Sequence, residues 1–258
     1  MIDHHPVSVL FSIAGINFYT WGVIFVASFL VALFLAYKPV TKKIGEKHFF
    51  NIAVLLLLGI IIGTRLLYVF INFNYFAQDL TRIFAFSEGG SSSFGGFLSV
   101  LFVWLYIRKH KINFRELLDS FAPYVALGLA LGRIGCFLNW CCYGLETNLP
   151  WAITVNGVSR HPTQLYLLIA NLIVFFVLLH LTHKRDKENN PRSILNIKGT
   201  IFLFFLLYYC LNRFFIDFLR YYVSKEFFLG LVLPQWICLV VMIVVTIVLI
   251  ITKRKLIK

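Results

Sequence analysis

Long apolar runs alternate along this chain with short, strongly basic ones. The apolar runs fall near 18–38, 50–71, 92–107, 117–138, 163–182, 199–217 and 231–252. A helix of about 20 residues covers about 30 Å of hydrocarbon, so the pattern predicts about seven transmembrane helices. The run at 92–107 is short and contains Gly95 and Gly96, so six spans with a re-entrant third segment are the competing arrangement. His183 to Lys198, broken by Asn189-Asn190-Pro191, reads as a polar loop.

Charge orients this pattern. Of 24 Lys and Arg residues, seventeen lie in four groups: 38–47, 108–115, 184–198 and 253–258. These follow every second apolar run and so share one side of the membrane. Basic residues collect on the cytoplasmic side, which places the N-terminus outside and the C-terminus inside. A basic face toward anionic lipid accounts for the net charge of +13 without a nucleic-acid partner. With 60% hydrophobic residues in 258, the chain reads as one all-α polytopic membrane domain, 1–258. The first seventeen residues lack a basic n-region and a cleavage site, so the first span is expected to serve as the insertion signal.

Seven basic residues break the rule: Arg65, Arg82, Arg133, Arg160, Arg213, Arg220 and Lys225. The topology puts them outside or in the outer half of the membrane. An ionisable group at that depth is costly and usually functional. Arg133 follows an uncharged stretch from Phe121 to Leu131, among Gly128, Gly132 and Gly135. Glycines at such spacings admit a neighbouring helix or a lipid headgroup. A guanidinium there can grip a phosphate through two parallel hydrogen bonds, or it can pair with an acid. The acids on that side are Asp3, Asp79, Glu88, Glu146, Asp217 and Glu226. Arg213 and Asp217 stand four residues apart and can pair on one helix face, which Arg220 would share.

Polar loops accompany these arginines. Gly89 to Gly96 is rich in glycine and serine and offers backbone N–H groups to an anion, or is a connector. Arg160-His161-Pro162-Thr163-Gln164-Leu165-Tyr166 opens a helix with proline in its first turn. His161 is either a proton acceptor near neutral pH or an interfacial cap. Cys136, Cys141 and Cys142 cluster on the outer side, where Cys136 could bridge to either of the others. A metal site is disfavoured, because no histidine or fourth cysteine stands at ligand spacing. Cys210 and Cys238 read as apolar packing residues.

Taken together, these motifs resemble the prolipoprotein diacylglyceryl transferase family. Gly132 to Asn139, Gly-Arg-Ile-Gly-Cys-Phe-Leu-Asn, is similar to its G-R-[I/L]-G-N-F-x-N signature. Arg160 to Tyr166 is similar to its R-H-P-[S/T]-Q-L-Y, and Arg213 to Arg220 to its R-F-x-x-E-F-x-R, with Asp217 for the acid. Gly63 to Tyr68, Gly95-Gly96, Gln235 and His5-Pro6 match in the same order. The chain departs from the pattern at Phe94 for histidine, Cys136 for asparagine and Trp21 for tyrosine. Trp140-Cys141-Cys142-Tyr143 replaces another stretch before a retained Gly144, which marks a divergent Cys-Cys-Tyr-Gly branch.

The resemblance implies a multi-pass enzyme of the bacterial inner membrane that needs no cofactor or metal. Such enzymes move diacylglycerol from phosphatidylglycerol to a cysteine thiol in a lipoprotein signal peptide, and glycerol phosphate leaves. It implies Arg133, Arg213 and His161 as catalytic residues. Arg65, Gly95, Gly96, Asn139, Gly144, Arg160, Gln164, Tyr166, Asp217 and Arg220 are implied to line the substrate. A non-catalytic lipid-binding relative is the alternative that Phe94 and Cys136 raise.

Overall fold

The computed structural model describes residues 2–13, 16–76, 79, 97–188, 193–222 and 227–257. Gly95 and Gly96, with Arg82, Glu88, Phe94, Lys225 and Glu226, lie outside them. The protein is mostly helical, as the hydrophobic pattern requires. Six helices are long and apolar enough to cross a membrane: α1 (Thr20–Ile44), α2 (Glu46–Ile71), α5 (Phe114–Leu138), α6 (Thr163–Glu188), α7 (Thr200–Leu219) and α8 (Leu233–Ile257). Between them lie the one-turn α3 (Phe73–Phe76) and α4 (Phe97–Lys109). The 13 described residues of α4 rise only about 20 Å, which is short of the hydrocarbon thickness. It occupies the run where the sequence signal was weakest.

Leucine, isoleucine, valine and phenylalanine point outward along these helices. On α8, Ile237, Val240, Ile243, Val244, Ile247 and Ile251 are all exposed. A continuous apolar surface of this extent is stable in lipid rather than water. The chain is therefore a multi-pass membrane protein.

The polypeptide forms two compact units, residues 1–36 with 118–258, and residues 37–117. In the smaller unit α2 packs on α4 through Gly59, where a Cβ would stand 2.6 Å from the Ser99 Cα. His48 Nδ1 and Asn51 Nδ2 both meet the Tyr106 hydroxyl there, at 2.9 and 2.8 Å.

In the larger unit α7 packs against α6 and α8. Gly135 on α5 approaches Ile24 of α1 so closely that a Cβ would lie 3.1 Å from its Cβ. Small residues at a membrane helix crossing allow this approach. Short strands decorate the unit. The strand β1 (Ile2–Asp3) runs parallel to β4 (Ile153–Val155), which pairs antiparallel with β5 (Val158–Arg160). The β4–β5 loop is Asn156-Gly157, with φ of 52° and 78°, the twist that two-residue hairpins need. The hairpins β2 (Val9–Ile13) with β3 (Ile16–Tyr19), and β6 (Phe227–Phe228) with β7 (Leu231–Val232), complete the set.

Two expectations change. The polar stretch from His183 does not open a loop, because α6 continues to Glu188. The added turn delivers Arg185 NH1 to Asp119 Oδ2 at 2.7 Å. Arg220 does not share the Arg213 helix face, because α7 ends at Leu219 and Arg220 is extended, with φ −84° and ψ 139°.

Candidate functional site

The candidate residues of the larger unit gather at one end of it. The C-termini of α5 and α7 meet the N-termini of α6 and α8 there. Gly144 holds the crossing together. Its N–H donates to the His161 carbonyl at 2.9 Å, and the next residue, Leu145, donates to the Leu219 carbonyl at 2.8 Å. A Cβ on Gly144 would stand 2.5 Å from the His161 Cβ and 2.7 Å from the Leu219 oxygen. Both neighbours are fixed, so only glycine lets the 140–146 segment pass between α6 and α7. Gly144 also bridges Arg220, which brings that residue beside the segment.

The end of α5 is a tight reversal. The Cys141 N–H reaches back to the Cys136 carbonyl at 3.0 Å, and the Trp140 N–H to Phe137 at 2.9 Å. This is the Schellman pair of bonds, and it puts Trp140 at the left-handed position usually given to glycine, with φ 48°. Cys142 is left-handed as well, at φ 64°. The first turn of α6 holds this backbone in place: Thr163 Oγ1 donates to the Cys142 carbonyl at 2.6 Å, and Gln164 Nε2 to the Cys141 carbonyl at 2.8 Å. Thr163 and Gln164 are buried.

The reversal, with the Cys141 N–H on the Cys136 carbonyl, brings the Cys136, Cys141 and Cys142 thiols close together. All three are free thiols, so the bridge that their spacing allowed is not formed. Bonds from the Cys136 and Cys141 thiols, with Arg220 and Arg133 nearby, draw the Cys142 thiol far below the ordinary thiol range. Its contacts with Cys136 and Cys142 push the Cys141 thiol up.

The arginines separate into two kinds. Arg160 is neutralised by Glu146, with NH2 3.0 Å from Oε1, and its guanidinium lies over the Tyr143 and Tyr221 rings at 5.1 and 4.7 Å. Arg213 pairs with Asp217, with NH2 3.2 Å from Oδ1, and it also donates to the Tyr222 hydroxyl at 3.2 Å. Tyr222 in turn donates to Asp217 Oδ1 at 2.7 Å. Burial, then the bond to Asp217, pushes the Tyr222 phenol up to about 12. Arg133 and Arg220 differ from these. Both are half-buried, and among the described residues neither meets a carboxylate. Arg220 lies over the Tyr222 ring at 5.2 Å.

The remaining candidates are placed as follows. His161 Nδ1 is 3.3 Å from the Tyr166 hydroxyl, which accepts from Trp151 Nε1 at 2.8 Å. Asn139 is half-buried at the end of α5. Gln235 anchors α8 by donating to the Phe214 carbonyl at 3.1 Å. Asp217 Oδ2 and Gln164 Oε1 are buried without a hydrogen-bond partner among the described residues. Arg65 belongs to the smaller unit, where it is buried over Phe76 at 5.3 Å. Sequence reasoning missed Tyr222, Tyr143 and Tyr221. The i,i+4 spacing signals Arg213 with Asp217, but nothing in the spacing signals a tyrosine that returns to them beyond the helix end.

A sequence profile of the prolipoprotein diacylglyceryl transferase family matches residues 8–252. The chain is 33% identical to a phosphatidylglycerol–prolipoprotein diacylglyceryl transferase of Finegoldia magna, over 81% of this chain and 82% of that one. It is 32% identical to the enzyme of that name from Idiomarina loihiensis, over 96% and 93%. Identity to the Methylobacillus flagellatus protein is 31%, over 97% of both chains. The chain belongs to the prolipoprotein diacylglyceryl transferase family.

Proposed function

We propose that this protein transfers a diacylglyceryl group from phosphatidylglycerol to the cysteine thiol of a prolipoprotein signal peptide, in the bacterial inner membrane. Family membership supplies the reaction class. The observation that carries the site is the pair Arg133 and Arg220, two guanidiniums beside one turn with no carboxylate to neutralise them among the described residues. A departing glycerol phosphate is an anion, and fixed cations aimed at developing charge lower the barrier to its release. The same turn holds Asn139 and Gly144, and Thr163 and Gln164 in the first turn of α6 fix its carbonyls.

In this reading Arg133 and Arg220 receive the phosphate. Arg213 and Asp217 form the adjoining wall, where Asp217 Oδ2, which has no partner among the described residues, can accept a hydrogen bond from a headgroup hydroxyl. His161, with Tyr166 beside it, is the nearby group suited to take the thiol proton. Arg160 builds the loop rather than gripping substrate, because Glu146 and two aromatic faces already occupy its guanidinium. Arg65, Gly95 and Gly96 are assigned to the substrate surface by their motif positions alone. The basic 17-to-7 asymmetry supports an outside N-terminus and a cytoplasmic C-terminus.

Complementation tests the proposal. The gene should support growth of a strain depleted of its own diacylglyceryl transferase and restore the gel shift of a model lipoprotein. Stable membrane-inserted protein with no lipidation would reject it in favour of a lipid-binding role.

A further inference from the structure

The mechanism above leaves the three-thiol cluster unused. Its arrangement is nonetheless constructed rather than incidental. Two non-glycine residues of one short turn, Trp140 and Cys142, are left-handed, and side chains from α6 hold the Cys141 and Cys142 carbonyls. Such backbone is costly and persists only where its surroundings impose it. The result is that Cys136, on the last turn of α5, lies beside both Cys141, whose N–H reaches its carbonyl at 3.0 Å, and Cys142. Arg220 and Arg133 bear on the Cys142 sulfur, and Arg133 also bears on Cys136. Cys136 is buried, whereas Cys142 is half-buried and so reachable.

We propose that Cys142 and Cys136 are an oxidation site, which closes a reversible disulfide when it meets a two-electron oxidant of the peroxide class. Cationic neighbours and partial exposure define a reactive thiol, and a second thiol in contact with it makes the oxidation reversible. The Cys142 thiolate attacks one peroxide oxygen. The O–O bond breaks, hydroxide leaves, and Cys142 becomes a sulfenic acid. The Cys136 sulfur then attacks the Cys142 sulfur, an S–S bond forms, and the sulfenic oxygen departs as water with the Cys136 proton. Two electrons pass from the two sulfurs to the peroxide. Cys141 is not the partner, because ring strain disfavours a bridge between adjacent cysteines. Closure ties up the sulfur that lies near Arg133 and Arg220, so the site responds to oxidation where an anion would bind.

The test uses the full-length protein in detergent micelles, reduced, freed of reductant and titrated with hydrogen peroxide. Remaining thiols are capped with a maleimide, and the bridge is located by peptide mass mapping. The expected result is a Cys136–Cys142 disulfide that dithiothreitol reverses. Cys142→Ser should slow thiol loss by about tenfold or more, Cys141→Ser should still form the bridge, and Cys136→Ser should accumulate a dimedone-trapped sulfenic acid at Cys142. A bridge mapped to another pair, or no disulfide in the unmodified protein, overturns the proposal. So does Cys142→Ser losing thiols at the unmodified rate. The mapping of the unmodified protein decides the matter even where a variant fails to fold.

Discussion

The two ends of the larger unit handle charge in opposite ways. Near the α5 N-terminus, Asp119 is fully buried and every lone pair it uses is directed. Oδ2 accepts from Arg185 NH1 at 2.7 Å and from the Gly199 N–H at 2.8 Å, and Oδ1 accepts from the Phe202 N–H at 2.9 Å. A carboxylate from one helix thus caps the N-terminus of another, where the free N–H groups and the helix dipole both favour it. At the opposite end, Arg133 and Arg220 stand without such compensation among the described residues, while Arg160 and Arg213 have it. Balanced charge fastens helices together. Charge left unbalanced beside a rigid turn is what the proposed phosphate site requires.

The sharpest way to break the comparison is to remove Asp119. Asp119→Ala leaves the half-buried Arg185 with Asp186 at 3.7 Å and uncaps α7, which should cost about 2–4 kcal/mol of stability. Unfolding in micelles should report this, and Asp119→Leu combined with Arg185→Leu should recover the part due to the broken ion pair but not the part due to the lost cap of α7. A loss of lipidation with unchanged stability in Asp119→Ala would mean that this end is not merely a fastener.

Arg133→Lys and Arg220→Lys reverse the expected pattern. Lysine keeps the charge but loses the planar fork, so lipidation should fall by about 10²–10³-fold, close to the effect of alanine, with little change in unfolding. Near-normal turnover in both lysine variants would leave point charge, rather than a shaped phosphate grip, as the explanation.

Gly144→Ala falls between the two classes. The added methyl meets the Leu219 carbonyl and the His161 Cβ, both of which are anchored. Overpacking of this kind costs about 1–3 kcal/mol. Since the turn carries the site, stability and lipidation should decline together. A fall in one alone would separate the crossing from the chemistry.

Much of this contrast was legible in the residues. Six of the seven apolar runs became helices long enough to span a membrane, because hydrocarbon thickness imposes a length that sequence displays directly; among the described residues the run at 92–107 did not. The i,i+4 spacing gave Arg213 with Asp217. The Asp119–Arg185 pair was not legible: its members are 66 residues apart, and Arg185 sat in what read as a loop. The helix extends because that ion pair holds its last turns, which is a tertiary cause. Arg220 was assigned to the wrong helix face for a similar reason, since the chain leaves α7 to bridge Gly144. The cysteine spacing showed that a bridge was allowed, but the redox state of a contact is not written in its spacing. Which arginines are neutralised also depends on loops returning to the helices, as Glu146 and Tyr222 do.

The smallest effect is expected at Tyr222, which completes the neutralised arginine. Tyr222→Phe removes the hydroxyl that joins Arg213 to Asp217 but leaves their 3.2 Å pair in place. The cost should be about 0.5–1.5 kcal/mol, with lipidation reduced in proportion and not abolished. Alkaline pH supplies the independent check. Burial and the bond to Asp217 raise the phenol from 10.0 to about 12 in the folded protein. A raised folded value means that the stabilisation is complete below the unfolded value near 10.0 and is lost as pH rises toward about 12. The unmodified protein should therefore lose stability over that window faster than Tyr222→Phe, and the difference between their melting temperatures should shrink. A difference that stays constant from pH 10.0 upward would mean that the phenol proton is not what joins Asp217 to this end of the unit.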